Sequence, residues 1–264
     1  MLLKCPAHYA YRRLVVTLGV DLASAAKRTA VCWIHWEQGR AEVVRLDTRA
    51  DDDALLDAIT HVDKAGIDVP FGWPQDFIEA VAAYNASGLW PSTAPHPSTA
   101  PKQLQFRETD RFVYARTGRW PLSVSSDRIA IPAMRAAVLL SQLKASGQPV
   151  HREGLGKVVE VYPAAALRVW GFNAIGYKRE QNRQARCDLL AAILEKTSSW
   201  LTTPQTIRSL CEATDDAVDA LIGAIVAKAA AAALCWEIPE QCVSKARLEG
   251  WIALPTRRDL GVSP

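Results

Sequence analysis

Three β-branched apolar runs follow one another within the N-terminal part of the chain: LVVTLGVDL at 14–22, TAVCWIHWE at 29–37 and AEVVRLD at 41–47. Each has strand length, and only Ser24–Arg28 and Gln38-Gly39 separate them. Connections this short leave no room for the crossover that parallel neighbours require, so the runs read as an antiparallel meander. Asp51 to Asp53 then open a helix that reaches about His61, with negative charge where the helix dipole favours it. The run AGIDV at 65–69 reads as a fourth strand, stopped by Pro70. A meander that passes into alternating helices and strands is not a plain doubly wound parallel sheet. It predicts an α/β fold with a mixed sheet of about five strands and helices on both faces.

The rest of the chain supplies the remaining layers. Residues 70–128 read as an insertion of helix and loop, with a helix at 75–84 and an arginine-rich, partly helical stretch at 107–120. Within it, a near-duplicated P-S-T-A-P at 91–101 marks 85–104 as a loop or flap. An amphipathic helix at 130–146, a strand KVVEVY at 157–162 ended by Pro163, and helices at about 164–170, 180–196 and 215–235 follow, then an apolar patch from Trp251 to Leu254. A length of 264 residues suits one domain over 14–255, with tails at 1–13 and 256–264.

Composition narrows the partners. A net charge of +3 with a pI of about 8.5 permits a nucleic-acid partner without demanding one. The cysteines Cys5, Cys32, Cys187, Cys211, Cys235 and Cys242 form no C-x-x-C pair and match no zinc spacing. Scattered in this way, they read as buried small hydrophobes of a reducing, cytoplasmic compartment. Met1 to Arg13 carries no apolar run with a cleavage site, and Ala217 to Trp236 is broken by Asp219 and Lys228, so it reads as a core helix and no membrane span is expected. His8, His35, His61, His96 and His151 show no metal-ligand spacing, and no glycine-rich phosphate loop or nucleophile elbow occurs. Nothing in the sequence sets an oligomeric state.

The chemistry lies in the acids. Asp21 is the first polar residue after an apolar strand, Asp68 ends another in G-I-D-V-P, and Glu160 stands among valines in V-V-E-V-Y-P. Taken singly, each also reads as a turn acid or a wet strand face, and Asp215 and Asp216 after Thr214 read as an ordinary helix start. Asp219 is different, because its helical neighbours are apolar all round and the helix is therefore buried. A lone carboxylate there is costly unless a cation meets it or its pKa moves. Asp216 lies three residues earlier on the same face, and a divalent ion would turn their repulsion into ligation. Carboxylates at strand ends and on one buried helix face converge at one sheet edge, where all-oxygen sites suit Mg²⁺ or Mn²⁺.

G-V-D-L-A at 19–23, I-D-V-P at 67–70 and D-D-A-V-D-A-L at 215–221 resemble the RNase H-like nuclease superfamily, and the Asp216/Asp219 pair is similar to the RuvC-type resolvases. That resemblance implies metal ligation by Asp21, Asp68, Asp216 and Asp219; where the resolvases carry Glu, this chain has the shorter Asp68. A broader resemblance, over about 14–255, is to domain-of-unknown-function family 429, described as predicted RNase H-like nucleases. It takes in R-E-T-D-R at 107–111, E-V-Y-P at 160–163 and Tyr177-Lys178. It implies a nuclease that hydrolyses phosphodiesters by a two-metal mechanism. In that reading Glu160 is a further ligand or orienting base, and Arg107, Arg111 and Lys178 face phosphate. The arginines 107, 111, 116, 119 and 128, interleaved with Phe106, Tyr114 and Trp120, read equally as a nucleic-acid surface or as a solvated helix face paired to Glu108 and Asp110. Two rivals remain: a nucleic-acid-binding module without catalysis, and a nucleotide-binding ATPase-type protein, which the L-A-S-A-A after Asp21 disfavours.

Overall fold

In the computed structural model, residues 15–256 and residue 260 are described. Cys5, His8, Leu14 and the two tails, save Thr256 and Leu260, lie outside the described residues. Strands β1 (Val15–Asp21), β2 (Ala30–Glu37) and β3 (Arg40–Asp47) form the expected antiparallel meander. After helix α1 (Asp52–His61), β4 (Lys64–Asp68) returns parallel to β1 on its free side. Helices α2 (Gln75–Ser87), α3 (Pro101–Gln105), α4 (Glu108–Thr117) and α5 (Ala130–Ala145) come before β5 (Val158–Glu160), which pairs parallel to β4. Next come α6 (Pro163–Val169), α7 (Arg183–Thr197), β6 (Leu201–Thr202), α8 (Gln205–Ala213), α9 (Asp215–Ala231) and α10 (Val243–Glu249).

The sheet has six strands in the order β5-β4-β1-β2-β3-β6, one more than expected. This mixed architecture is compatible with an RNase H-like fold. The extra strand, β6, is two residues long and pairs with the edge of β3, too short to leave a periodic signature. Helices α3, α8 and α10 also fall outside the expected elements; α3 and α10 are only one or two turns long, and α3 orders part of the segment expected to be loop. No described helix is long and apolar enough to cross a membrane.

The central strands divide their side chains between two cores. Leu18, Val20, Ala65 and Ile67 pack with Leu55 and Ile59 of α1 and Leu139 and Leu143 of α5. Cys32, Ile34 and Val159 belong to a second core with α6, α7, α8 and the largely apolar α9. On that side α9 lies across the middle of the sheet, on β1, β2 and β4.

Two strand glycines set how closely it lies. A Cβ on Gly19 would sit 1.9 Å from the Ala220 carbonyl oxygen, and one on Gly66 would sit 2.6 Å from that of Gly223. Gly19 and Gly66 are register partners on adjacent strands, so together they form a slot for the helix backbone. The Thr17 hydroxyl donates to the Ala224 carbonyl at 3.0 Å and accepts from Trp36 Nε1 at 2.8 Å, which pins the helix along the same line.

A buried polar tie closes the far side. Arg107, 1% exposed, donates to both oxygens of Glu160 at 2.9 and 2.7 Å, to both oxygens of Asp110 and to the Glu249 carbonyl. Glu249 in turn accepts from the backbone N–H of Gln75 and of Glu108, so one carboxylate stabilises the starts of α2 and α4. The insertion is thereby fastened to β5 and to the C-terminal helix.

Candidate metal centre

The slot that seats α9 also assembles the site. Asp21 and Asp68 are the last residues of β1 and β4, two positions after Gly19 and Gly66, and they are register partners. A strand repeats its face every second residue, so both carboxylates point to the side that carries α9. Asp219 precedes Gly223 by one helical turn and so overhangs the same strand ends. Ligand oxygens of Asp21, Asp68 and Asp219 all lie within 4.8 Å of one another.

Asp216 stands at the rim of this cluster. It shares a hydrogen bond with Asp21, lies 3.7 Å from Arg28, and keeps 20% of its side chain exposed. Of the four aspartates singled out from sequence, three meet at the centre and the fourth flanks it.

Glu160 does not join them, and register is the reason. It pairs with Ile67, the neighbour of Asp68, and so shares the face of Ile67, opposite to that of the aspartates. Both its oxygens are engaged, by Arg107 and by the Phe71 N–H at 2.9 Å. The expectation that Glu160 ligates metal or acts as a base gives way to a bracing role. Arg107 likewise uses all five guanidinium N–H groups inside the protein, which leaves none for phosphate. Arg111 is paired to Glu108 at 2.7 Å, away from the carboxylates, as the helix-face reading has it.

Lys178 is the residue that sequence reading placed nearest the mark without its partner. Its ammonium lies 2.5 Å from Asp219 Oδ2, while its stem leaves 44% of the side chain exposed. That oxygen accepts no well-aligned hydrogen bond, so the contact is one of charge. Tyr177, unmarked in the sequence except as a companion of Lys178, donates its hydroxyl to Asp219 Oδ1 at 2.6 Å. Arg186 fixes this corner: it donates to the Tyr177 carbonyl at 3.1 Å and to the Glu212 and Ala213 carbonyls at 3.0 Å, tying the lysine's loop to the end of α8 just before α9.

The electrostatics follow from crowding acids away from water. Burial, then Asp219 and Asp68, push the Asp21 carboxyl well above its ordinary range, against the opposing charge of Lys178. Asp68 is pushed up to about 7, mainly by burial, with Lys178 opposing and Asp219 and Glu160 adding. Asp219 is raised by burial although Lys178 and Tyr177 pull it down. For Lys178, burial alone would lower the pKa, but Asp219, Tyr177 and the other carboxylates carry it well above its usual value. Among the described residues nothing donates a hydrogen bond to the Asp68 carboxylate.

This donor set fits a divalent cation. The ligands are hard anionic oxygens, grouped on three rigid elements, under-compensated by hydrogen bonds, and destabilised as anions until positive charge arrives. The acidic group could therefore bind a metal ion, with Lys178 supplying part of the positive charge otherwise.

A cavity of about 200 Å³ opens directly beside Asp21 and Asp68. Its lining also includes Tyr162, Lys178 and the paired Arg107 and Glu160, together with the apolar Pro121, Leu122, Ile129 and Pro132.

Comparison with known proteins returns a family model described as "Protein of unknown function (DUF429)" that matches residues 19–242, a span that holds every residue of this cluster. No curated protein and no solved structure matches the chain.

Proposed function

The chain belongs to the DUF429 family, and from that premise we propose that it is a phosphodiester hydrolase, a nuclease dependent on Mg²⁺ or Mn²⁺. One observation carries the proposal: carboxylates from β1, β4 and α9 approach within 4.8 Å at the carboxyl ends of two parallel strands, beside an open cavity. Asp21, Asp68 and Asp219 would hold the ion, with Asp216 at the rim as a further carboxylate for a second one. When bound, such an ion supplies Lewis-acid charge to a phosphoryl oxygen and acidifies the attacking water.

The protein's own groups prepare the reaction. Tyr177 and Lys178 hold Asp219 in one orientation from either oxygen, so that the carboxylates are preorganised. The partly exposed Lys178 stem lets its ammonium reach a phosphate in the cavity while it stays near Asp219. In the hydrolysis, the water oxygen bonds to phosphorus and loses its proton. The P–O bond to the leaving oxygen breaks, and that oxygen takes up a proton, giving one phosphate monoester and one hydroxyl end.

The test is purified protein with Mn²⁺ or Mg²⁺ on branched, single-stranded and hybrid nucleic acids. Metal-dependent cleavage that is lost in Asp21→Asn with Asp219→Asn is the expected result. Cleavage that survives the double substitution would overturn the site, and no cleavage of any substrate with metal would overturn the activity. Salt-sensitive binding without cleavage would favour the binding-module reading instead.

A further inference from the structure

Resting on the hydrolase reading, we propose that the centre accepts an unpaired nucleotide of a single-stranded nucleic acid, with its base against the apolar lining of the cavity, and that it excludes base-paired duplex. The first reason is size. The cavity of about 200 Å³ is below the roughly 300–1,000 Å³ of sites that enclose drug-sized ligands, so it takes one ring system and no stacked pair.

The second reason is depth. Asp219 is 1% exposed, and Asp21 and Asp68 share the cavity lining with Pro121 and Leu122, so a phosphodiester that reaches the acids passes beside those two side chains. A strand that still carries its complement would meet that wall first.

The third reason is the surface that leads away from the cavity. Leu122 and Pro121 continue directly into Trp120 and Arg119. The Trp120 ring is held between Phe106, at 4.1 Å and 26° between planes, and Tyr114, at 4.2 Å and 12°. Tyr114 ends this three-ring stack at the surface with 40% of its area exposed, and Lys102 Nζ lies 5.1 Å from the Trp120 ring centre. Unpaired bases stack on aromatic rings whatever their sequence, and Lys102 and Arg119 add charge for the backbone. Leu122 itself is 57% exposed, an apolar side chain kept at the mouth of a polar site. Pro121, Leu122, Ile129, Pro132 and Ile252 give the cavity an apolar lining, and the buried Arg107 and Glu160 in it are already paired to each other, so the base is held by shape and stacking, with little sequence preference.

The experiment compares a fluorescent single-stranded oligonucleotide with its own duplex, using the full chain, for Mn²⁺-dependent cleavage and for binding by anisotropy. Single strand is expected to be cleaved and bound at least about tenfold better, because the duplex can use neither the pocket nor the stack. Tyr114→Ala is expected to weaken single-strand binding about tenfold. Leu122→Trp, at an exposed position, fills the cavity and should slow cleavage without altering the stabilisation by Mn²⁺. Duplex cleaved as fast as single strand overturns this inference and leaves the hydrolase reading standing. Failure of metal-dependent cleavage on both overturns the hydrolase reading; binding then decides the inference, which falls if the two forms bind alike or neither substitution weakens the single strand.

Discussion

Replacing Asp68 by Asn should stabilise the metal-free protein. Asp68 is pushed up to about 7 in the folded chain, against about 3.9 for a free aspartate, because burial and the neighbouring Asp219 penalise its charge. The folded state thus keeps a proton that the unfolded state has released. Unfolding free energy therefore falls as pH rises from about 4 to about 7, and stays lowered above that window. Three pKa units at 1.36 kcal/mol each set an upper bound of about 4 kcal/mol. Residual solvation at the cavity wall and shared titration with Asp21 bring the expected gain from Asn to about 1–2 kcal/mol. For a chain of this size that is a rise in Tm of about 2–8 °C at pH 8. The assay is thermal unfolding in chelator, from pH 4 to pH 8, with the difference between variant and parent opening across that window. With Mn²⁺ the order should reverse: the parent gains about 2.7 kcal/mol at a hundredfold excess over Kd, and the variant gains far less. A variant that is less stable than the parent in chelator at pH 8, or that Mn²⁺ stabilises equally, would refute the reasoning.

Other perturbations probe the scaffold that brings the acids together. Gly66→Val should push α9 off the sheet, destabilise by about 1–3 kcal/mol or more in denaturant titrations, and abolish the Mn²⁺-induced stabilisation. Tyr177→Phe removes a hydrogen bond to a buried carboxylate and should cost about 1.5–3 kcal/mol by the same titration. Arg107→Met leaves Glu160 and Asp110 buried without their cation and should destabilise by about 3–5 kcal/mol, and adding Glu160→Gln should recover part of that in a double-mutant cycle. If any Arg107→Met protein that folds in stabilising osmolyte still shows the parent's Mn²⁺ affinity by calorimetry, Arg107 braces the fold without touching the ion.

Much of the architecture was legible because it rests on local patterning. The meander follows from three apolar runs with turns too short for a crossover, and α9 from a segment apolar on every side except Asp215, Asp216, Asp219 and Lys228. Short elements escaped, since the two residues of β6 pair with β3 only after the chain has folded around them. At the site, strand ends and helix face were readable for Asp21, Asp68 and Asp219, because each stood out as a carboxylate against an apolar element. The glycines at 19 and 66 were also a readable signal of close backbone approach, though only their pairing across β1 and β4 gives it meaning.

Sequence by itself therefore determined which elements form and which acids would be costly to bury alone. Only the tertiary structure decided their company. Glu160 looked like its neighbours in sequence, yet a one-residue difference in register sent it to the opposite face and into the grip of Arg107. Lys178 read from sequence as a phosphate-facing lysine with no partner, yet the loop held by Arg186 delivers its ammonium to Asp219. The physical reason is that burial and charge pairing are properties of neighbours in space: the period of a strand or helix gives the direction of a side chain, and packing alone gives what it meets there.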